Sequence, residues 1–165
     1  MQPTITQHQF AGARARGFSL VELITTVSIV AVLATIATPS MAALVMRHRV
    51  QDATSALFAA LIKTRSQALM LNTDVRLEPV GAGWAGGWRI PDPTSAGKYS
   101  DVHEPVESVD IAMSGASTIA YQYNGRIRGG VGVRFNLSGN AGGATTSACV
   151  AVDPSGRPYT QDRPC

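Results

Sequence analysis

A long apolar run that begins near residue 18 and continues to Met46 constrains this sequence more than any other feature. Between Phe18 and Met46 the only ionisable side chain is Glu22. About 18 or more apolar residues in succession predict a helix that spans a membrane. A carboxylate near the start of such a helix is costly and usually faces a protein partner, which makes Glu22 a candidate functional residue.

The charges before the run predict its orientation. Arg14 and Arg16 precede it without any acidic residue, so we expect a cytoplasmic N-terminus and an exported chain after Met46. A cleaved secretory signal and a plain anchor are two interpretations. Ser40-Met41-Ala42 offers a small-x-small cleavage site, but apolar regions of signal peptides are only about 7–15 residues long and seldom carry a charge near their start.

A third interpretation comes from the residues at the start of the run. Gly17-Phe18-Ser19-Leu20-Val21-Glu22-Leu23, followed by an uncharged helix, resembles the class III signal of type IV pilins and type II secretion pseudopilins. The resemblance implies that prepilin peptidase cuts between Gly17 and Phe18 and that Phe18 is then N-methylated. In that family the acid, here Glu22, neutralises the N-terminal amine of a neighbouring subunit, and a proline, here Pro39, bends the helix because it lacks an N–H.

We therefore expect four segments: a leader at 1–17, a transmembrane and filament-core half of the helix at 18–46, an amphipathic half at 47–72, and a globular β domain at 73–165. Asn72-Thr73-Asp74 should end the helix, because short polar side chains favour turns. A membrane-surface helix is the alternative for the second half, although its polar face is not markedly basic. The apolar stripe falls mainly at steps of three and four residues, at Val50, Ala53, Leu57, Ala60, Leu61, Ala68 and Leu71.

The remainder is rich in β-branched and aromatic residues separated by turns, and it predicts strands. Together with the helix this gives an α+β fold, type IV pilin-like, in which one long N-terminal helix packs on a small antiparallel sheet. Gly81 to Gly87 contains G-x-G-x-x-G but precedes a strand, so it predicts a hairpin turn and not a phosphate site. The segment 91–105 predicts a surface loop. The strands are expected at 75–80, 88–90, 118–123, 131–137 and 147–152.

Cys149 and Cys165 are the only cysteines, and both are expected on the exported side, where disulfides persist. We expect them to pair and to turn the segment between them into a constrained surface loop. A metal site is disfavoured because neither C-x-x-C nor a histidine pair accompanies them. No cofactor and no catalytic constellation is expected.

The C-terminal end sharpens the resemblance to the GspH/FimT family of minor pilins and pseudopilins, which carry a terminal disulfide around a strand and a Pro-Ser-Gly-Arg-like turn. The FimT-like branch is associated with DNA binding through a terminal G-R-x-R motif. Here Gly156-Arg157-Pro158 departs from that motif, and the literal match lies earlier, at Gly125-Arg126-Ile127-Arg128. The candidate DNA-contacting side chains are Arg126, Arg128, Arg157 and Arg163, with Tyr159 able to stack on bases.

Net charge gives this DNA hypothesis little support. Removing the leader leaves 12 basic side chains against 11 acidic ones, so the mature protein is close to neutral. The sequence thus predicts a minor pilin, anchored in a bacterial inner membrane by one span, whose partners are prepilin peptidase, other pilins and, as one alternative, DNA. The other alternative is a pseudopilin that serves protein export without binding DNA.

Overall fold

The computed structural model describes residues 17–114 and 117–165, apart from the side chains at positions 36, 37 and 39. All of the expected leader except Gly17 lies outside this range, and so does the Pro39 side chain, at which a bend was expected. The chain forms two compact units, Met1–Ile36 and Ala37–Cys165.

In the described part of the chain, the long helix α1 runs from Leu20 to Leu71. An 18-residue stretch of it has a mean hydropathy of 2.3, and its length and composition suffice to cross a membrane. Side chains from residue 20 to residue 35 are all exposed within the isolated chain. This part of α1 therefore depends on lipid or on other helices to cover its apolar surface.

Burial of α1 begins at Met46 and follows the expected apolar stripe. Val50, Leu57 and Leu61 are almost fully buried in the core. Two hydroxyls on the same face, those of Thr54 and Thr64, donate to the backbone one turn earlier and so cost little when buried.

The stripe prediction was wrong at Leu71. Its side chain is 45% exposed, because Ala68 is the last buried residue of the helix and Leu71 lies nearly one turn beyond it.

The helix ends where the sequence predicted. Asn72 adopts a left-handed conformation with φ 48°, and the Thr73 N–H donates to the Ala68 carbonyl at 3.3 Å. This six-to-one bond belongs to the Schellman motif, in which Asn is one of the residues that tolerate the left-handed position.

Within residues 17–114 and 117–165, eight strands form two four-stranded antiparallel sheets, where a single sheet was expected. The first sheet has the order β3-β2-β1-β5 and the second the order β4-β6-β7-β8. The strands are β1 Val75–Pro79, β2 Trp88–Pro91, β3 Tyr99–His103, β4 Asp110–Ser114, β5 Ile119–Tyr121, β6 Val133–Ala141, β7 Ala144–Val152 and β8 Pro158–Gln161.

Strand β3 lies inside the segment that was predicted to be a surface loop, so that prediction was wrong. The sequence of β3 shows no alternating apolar pattern, because this strand is stabilised by contacts between its polar side chains and the helix. Lys63 Nζ lies 3.0 Å from Asp101 Oδ2, and the Ser100 hydroxyl donates to Gln67 at 3.0 Å.

Strands β4 and β8 were missed, and both are edge strands with few buried apolar residues. Strand β8 corrects the expectation that the segment enclosed by the cysteines is only a loop. The central pair β6 and β7 is longer than expected, because the two-residue turn at Gly142 and Gly143, with φ of 60° and 77°, allows pairing up to Ala141 and Ala144.

The two sheets and the second half of α1 share one core. The segment between β1 and β2 forms the expected hairpin connection, with one 3-10 turn at Trp84–Gly86. Trp84 meets Phe135 of β6 edge to face at 4.7 Å, which joins the hairpin of the first sheet to the second sheet. The G-x-G-x-x-G glycines therefore serve a hairpin and do not open a long helix.

A disulfide joins Cys149 of β7 to Cys165. It draws the C-terminal tail back toward β6, where the Cys165 N–H donates to Asn136 Oδ1 at 3.4 Å. The tail thus crosses from β8 over β7 to β6.

Replacing both cysteines by serine should lower the free energy of unfolding by about 3 kcal/mol, the chain-entropy value for a loop of this size. The measurement is chemical unfolding of the chain in detergent micelles, followed by tryptophan fluorescence. Reductant should destabilise the wild type by a similar amount and leave the double variant unchanged. Two freely reactive thiols in exported, folded protein would contradict the pairing.

Candidate functional site

The N-terminal end of α1 is capped by Ser19. Its hydroxyl oxygen accepts the Glu22 N–H at 3.2 Å, and its carbonyl accepts the Leu23 N–H at 3.1 Å. Ser19-x-x-Glu22 has the spacing of a capping box, a signal that our sequence reasoning overlooked. The cap places Glu22 in the first turn, where the helix dipole favours a negative charge.

The Glu22 carboxylate differs from every other polar side chain between residues 20 and 35. The four hydroxyls of this stretch each donate to a backbone carbonyl three or four residues earlier, at 2.7 to 2.9 Å. Glu22 is exposed and its carboxylate makes no hydrogen bond or ion pair with any residue that the structure describes. In the stretch from residue 20 to residue 35, Glu22 is thus the one polar side chain without a partner among the described residues. The four hydroxyls belong to Thr25, Thr26, Ser28 and Thr35.

A second candidate surface is formed by two turns at the end of the domain where α1 stops. The turn at Gly125 and the turn at Gly156 pack against each other, and a Cβ built on Gly156 would overlap the Gly125 carbonyl oxygen. Both glycines have positive φ, 75° and 86°. Arg65 of α1 holds the same carbonyl through an Nε–H bond of 3.0 Å. The G-R-x-R motif at 125–128 and the incomplete motif at 156–158 therefore contact each other, although they are far apart in sequence. We call the turns at Gly125 and Gly156 the paired arginine turns.

Each of the paired arginine turns is stabilised by an acidic or amide side chain that holds the arginine backbone. The Arg126 N–H donates to Asn124 Oδ1 and the Arg157 N–H to Asp153 Oδ1, both at 3.0 Å. The hydroxyl of Ser155 also donates to Asp153, and these hydrogen bonds hold the pKa of the Asp153 carboxyl below its ordinary value. Because these hydrogen bonds fix the backbone of both arginines, the guanidinium groups of Arg126 and Arg157 can project into solvent.

The two projecting arginines have few partners of their own. The Arg157 side chain is 77% exposed and its Nε lies 3.8 Å from Asp153 Oδ2, a solvent-screened pair of little energetic weight. Arg126 is exposed, and its guanidinium makes no ion pair within residues 17–114 and 117–165. Both remain able to contact an anion.

Arg128, by contrast, is paired. Its guanidinium lies 2.9 Å from Asp74 Oδ2, while the other oxygen of Asp74 accepts the Tyr123 N–H at 3.3 Å. Asp74 thereby ties both sides of the Gly125 turn to the residues just after α1. Tyr123 is 57% exposed beside this turn, and our sequence reasoning missed it because we considered only Tyr159, which is less exposed.

Arg163 does not join the other three arginines. It lines a depression of about 470 Å³ together with Arg47, whereas the Gly125 turn lies against Arg65. Residues 47 and 65 are 18 positions apart on the helix, which is about 27 Å at 1.5 Å per residue. The four candidate DNA-contacting arginines therefore lie at two separate sites on the surface of the domain.

The remaining polar groups of the core and of the loop after β3 do not form a further candidate site among the described residues. Tyr121 is fully buried, its hydroxyl has no partner in the described part of the chain, and burial raises its pKa. The His103 ring stacks on Trp88 at 4.0 Å. Across the described residues, no group of three or more His, Cys, Asp or Glu side chains is arranged to hold a metal ion.

Two family models match the chain. The model of type II transport protein GspH matches residues 53–156, and the model of the prokaryotic N-terminal methylation motif matches residues 12–38. A comparison with curated proteins finds no match.

Among solved structures, the chain is similar in fold to the type IV minor pilin FimU of Pseudomonas aeruginosa in two crystal forms. Sequence identity is 17% in both, with TM-scores of 0.59 and 0.57. The first match covers 72% of this chain and 90% of FimU, and the second covers 67% and 91%. These matches confirm the expected pilin fold with one long N-terminal helix and antiparallel sheets.

Gly156→Ala should separate the paired arginine turns, because the new methyl group has to displace the Gly125 carbonyl as well as adopt positive φ. We expect a loss of about 3 kcal/mol in the free energy of unfolding, of which roughly 1–2 is the left-handed backbone cost. Gly143→Ala is the matched control, since its φ of 77° is also positive but nothing lies within 4 Å of its Cβ position. Equal losses in the two variants, measured by chemical unfolding, would contradict the packing of the turns.

Proposed function

The chain belongs to the GspH family, and on this premise we propose that it is a minor pilin that prepilin peptidase processes and that assembles into, or primes, a type IV pilus. Membership of this pilin and pseudopilin family supports the role of a structural subunit. The match to the methylation motif supports cutting between Gly17 and Phe18 and methylation of Phe18.

The observation that carries the proposal is the unpartnered Glu22 carboxylate in an otherwise self-satisfied apolar helix. A carboxylate in hydrocarbon is tolerable when it is paired with a cation. Cleavage before Phe18 creates an amine four residues away from Glu22 on the same chain and an equal amine on every neighbouring subunit. Glu22 would pair with such an amine in the assembly, and the apolar side chains around it would be covered by other helices.

The choice of a pilus is supported by the solved structure of similar fold, which is described as a type IV minor pilin. The name of the matching family model, a type II transport protein, favours the second candidate, a minor pseudopilin of a secretion system. In both cases α1 anchors the subunit in the inner membrane, with the N-terminus cytoplasmic and the globular domain on the outer side until assembly.

Gly17→Ala should leave an uncut precursor, because the residue before the cut is the one that a prepilin peptidase reads. The measurement is the mass of the chain recovered from membranes of cells that contain the peptidase. Recovery of a chain that begins at Phe18 from this variant would contradict the assigned cut.

Glu22→Gln should be processed normally and yet assemble poorly, because the side chain keeps its size but can no longer neutralise an amine. Glu22→Ala should behave in the same way. Sheared filament fractions and membrane fractions would be compared for the amount of this subunit. Normal assembly of Glu22→Gln would rule out the pairing role and leave only packing.

DNA contact is a further candidate activity, and one observation favours it. The paired arginine turns place the guanidinium groups of Arg126 and Arg157 on adjoining exposed loops, with Tyr123 next to the first. Phosphate contacts by arginine and stacking on an aromatic ring are the ordinary means of sequence-independent binding. Arg128 would support this surface through Asp74, while Arg163 lies too far away to share it.

The double variant Arg126→Ala/Arg157→Ala should weaken DNA binding and lower the slope of log affinity against log salt by about 2, since each phosphate contact on a duplex contributes about 0.9. Fluorescence anisotropy of a labelled duplex with the chain in detergent micelles measures both quantities. Arg163→Ala is the matched control and should keep the wild-type slope. If the wild-type chain shows no salt-dependent binding to the duplex, the proposed DNA contact is wrong.

A further inference from the structure

The turn that joins β6 to β7 points toward the apolar part of α1. Ala148 of β7 lines a depression together with helix residues 51–58, whereas Thr145 lines a depression with helix residues 47–51. On β6, Gly139 lies against Met46, since a Cβ built on this glycine would overlap the Met46 Sδ. Toward their shared turn, both strands therefore approach lower-numbered residues of the helix.

The hairpin continues past Met46. Gly139 is paired with Thr146, and the ladder extends to the pair Ala141 and Ala144 before the turn at residues 142 and 143. Two more strand residues measure about 7 Å, which equals the rise of about four to five helix residues. Residues 140–145, which we call the hairpin tip, are thereby brought beside the helix near residue 42.

The burial of alanines along α1 agrees with this position of the hairpin tip. The alanines at 42–43 are half-buried, whereas Ala31 and Ala34 of the same helix are exposed. Side chains of equal size differ in this way because another part of the domain covers the helix at 42–43. Ala141 is itself partly buried and packs on the core to which Met46 belongs, so the hairpin tip accounts for the cover.

The hairpin tip is uncharged. Between Phe135 and Val152 the sequence contains no Asp, Glu, Lys, Arg or His. The exposed helix side chains at the same level, Met41, Leu44 and Val45, are apolar. The hairpin tip and this part of α1 therefore form one uncharged surface.

Charged side chains flank the hairpin tip, and they are of both signs. Arg47, Asp162 and Arg163 line the depression on one side of the hairpin, and Asp110 lines the depression on the other side. Two bases thus face two acids, and charge alone does not select a partner for this end of the domain. The uncharged surface between them is the feature that a partner has to match.

The length of the apolar run places this surface relative to a bilayer. The run from Phe18 to Met46 has 29 residues, whereas a hydrocarbon core about 30 Å thick is spanned by about 20. When the run begins at the inner surface, its last residues extend beyond the hydrocarbon. Helix residues 41–45 then lie in the outer headgroup layer, together with the hairpin tip.

We propose that the hairpin tip contacts the outer headgroup layer of the membrane in which the unassembled chain is anchored. The partner is a lipid surface because the hairpin tip lies beside helix residues that continue the membrane-spanning run. An uncharged hairpin tip enters this layer without desolvating an ion. The backbone groups of its turn need hydrogen bonds, which keeps the hairpin tip out of the hydrocarbon.

The inference rests on the proposed anchoring of α1 in the inner membrane. It adds a second membrane contact, made by the globular domain, to the contact made by the helix. Two contacts would hold the domain at a fixed height above the bilayer before assembly.

The direct test uses Ala144→Cys in the full-length chain, processed in cells and labelled with an environment-sensitive maleimide fluorophore. The native cysteines are paired, so only the introduced thiol reacts. Each phosphatidylcholine nanodisc holds one chain, and its lipid carries a nitroxide quencher either on the headgroup or deep in the acyl chain. We expect a loss of fluorescence with the headgroup quencher and none with the acyl-chain quencher.

Two results at residue 144 would overturn the proposal. One is the absence of quenching by the headgroup nitroxide, and the other is quenching by the acyl-chain nitroxide, which would place the hairpin tip in the hydrocarbon. Asn140→Cys, also exposed and on the partner strand, provides a second label position with the same expected result. It keeps the test decisive if the label at residue 144 disturbs the turn.

Val131→Cys is the matched control. Val131 is 72% exposed and precedes β6 at the end opposite the hairpin tip, about 30 Å along the strand from Ala141. Its label should not be quenched by either nitroxide. Equal quenching at residues 131 and 144 would show that the domain lies unspecifically on lipid, and this result would also overturn the proposal.

Val30→Cys separates this inference from the proposed function. Val30 lies near the middle of the apolar run, so its label should be quenched by the acyl-chain nitroxide. If Val30 is quenched and residue 144 is not, the anchored subunit stands and only the hairpin contact is removed. If Val30 is not quenched, the anchoring itself is wrong.

The number of chains per nanodisc distinguishes lipid from a second copy of the chain as the occupant of this surface. With one chain per disc, a lipid contact gives quenching at residue 144 without any neighbour. If the emission of the label at residue 144 changes only in discs that hold two chains, the surface is a contact between subunits and the proposal is wrong.

Discussion

Burial of one helical stripe against two sheets is the interaction on which the rest of this structure depends. From Met46 onward, α1 contributes side chains such as Leu57 and Leu61 to the same core that Trp88 and Phe135 fill from the two sheets. The stripe and the two sheets bury their apolar side chains in one shared core. The helix also fixes the surface features, since Lys63, Arg65 and Arg49 each reach a loop or strand through a polar contact.

Features that depend on neighbouring residues were predictable from the sequence, whereas features that depend on distant partners were not. The helix, its end at Asn72 and the central strands follow from periodicity and turn residues. Strand β3 was missed because Ser100 and Asp101 are stabilised by helix side chains more than thirty residues earlier in the chain. The contact between Gly125 and Gly156 also has no local signal, since each glycine alone indicates only a turn.

The arginines illustrate how the fold gives different roles to residues that look equivalent in the sequence. Arg128 is held by Asp74, Arg126 and Arg157 project from adjoining turns, and Arg163 lies near the opposite end of the folded part of α1. The paired arginine turns contain carboxylates as well as arginines, since Asp74 pairs with Arg128 and Asp153 holds the Arg157 backbone. The fold therefore decides which arginines remain available to an anion, and the composition alone does not.

The internal hydroxyl bonds of the apolar helix have a mechanical consequence. Because Thr25, Thr26, Ser28 and Thr35 all donate their hydroxyl protons to their own backbone, a neighbouring helix could bond to these side chains only by donating to their oxygens. The surface of this stretch is therefore mainly apolar, and it would contact a neighbouring helix chiefly by packing. If Glu22 pairs as proposed, it is the one charge contact of this stretch and lies close to one end. A subunit held by one charge contact and otherwise by packing would be able to rotate about its helix axis, which would let an assembly that contains it bend.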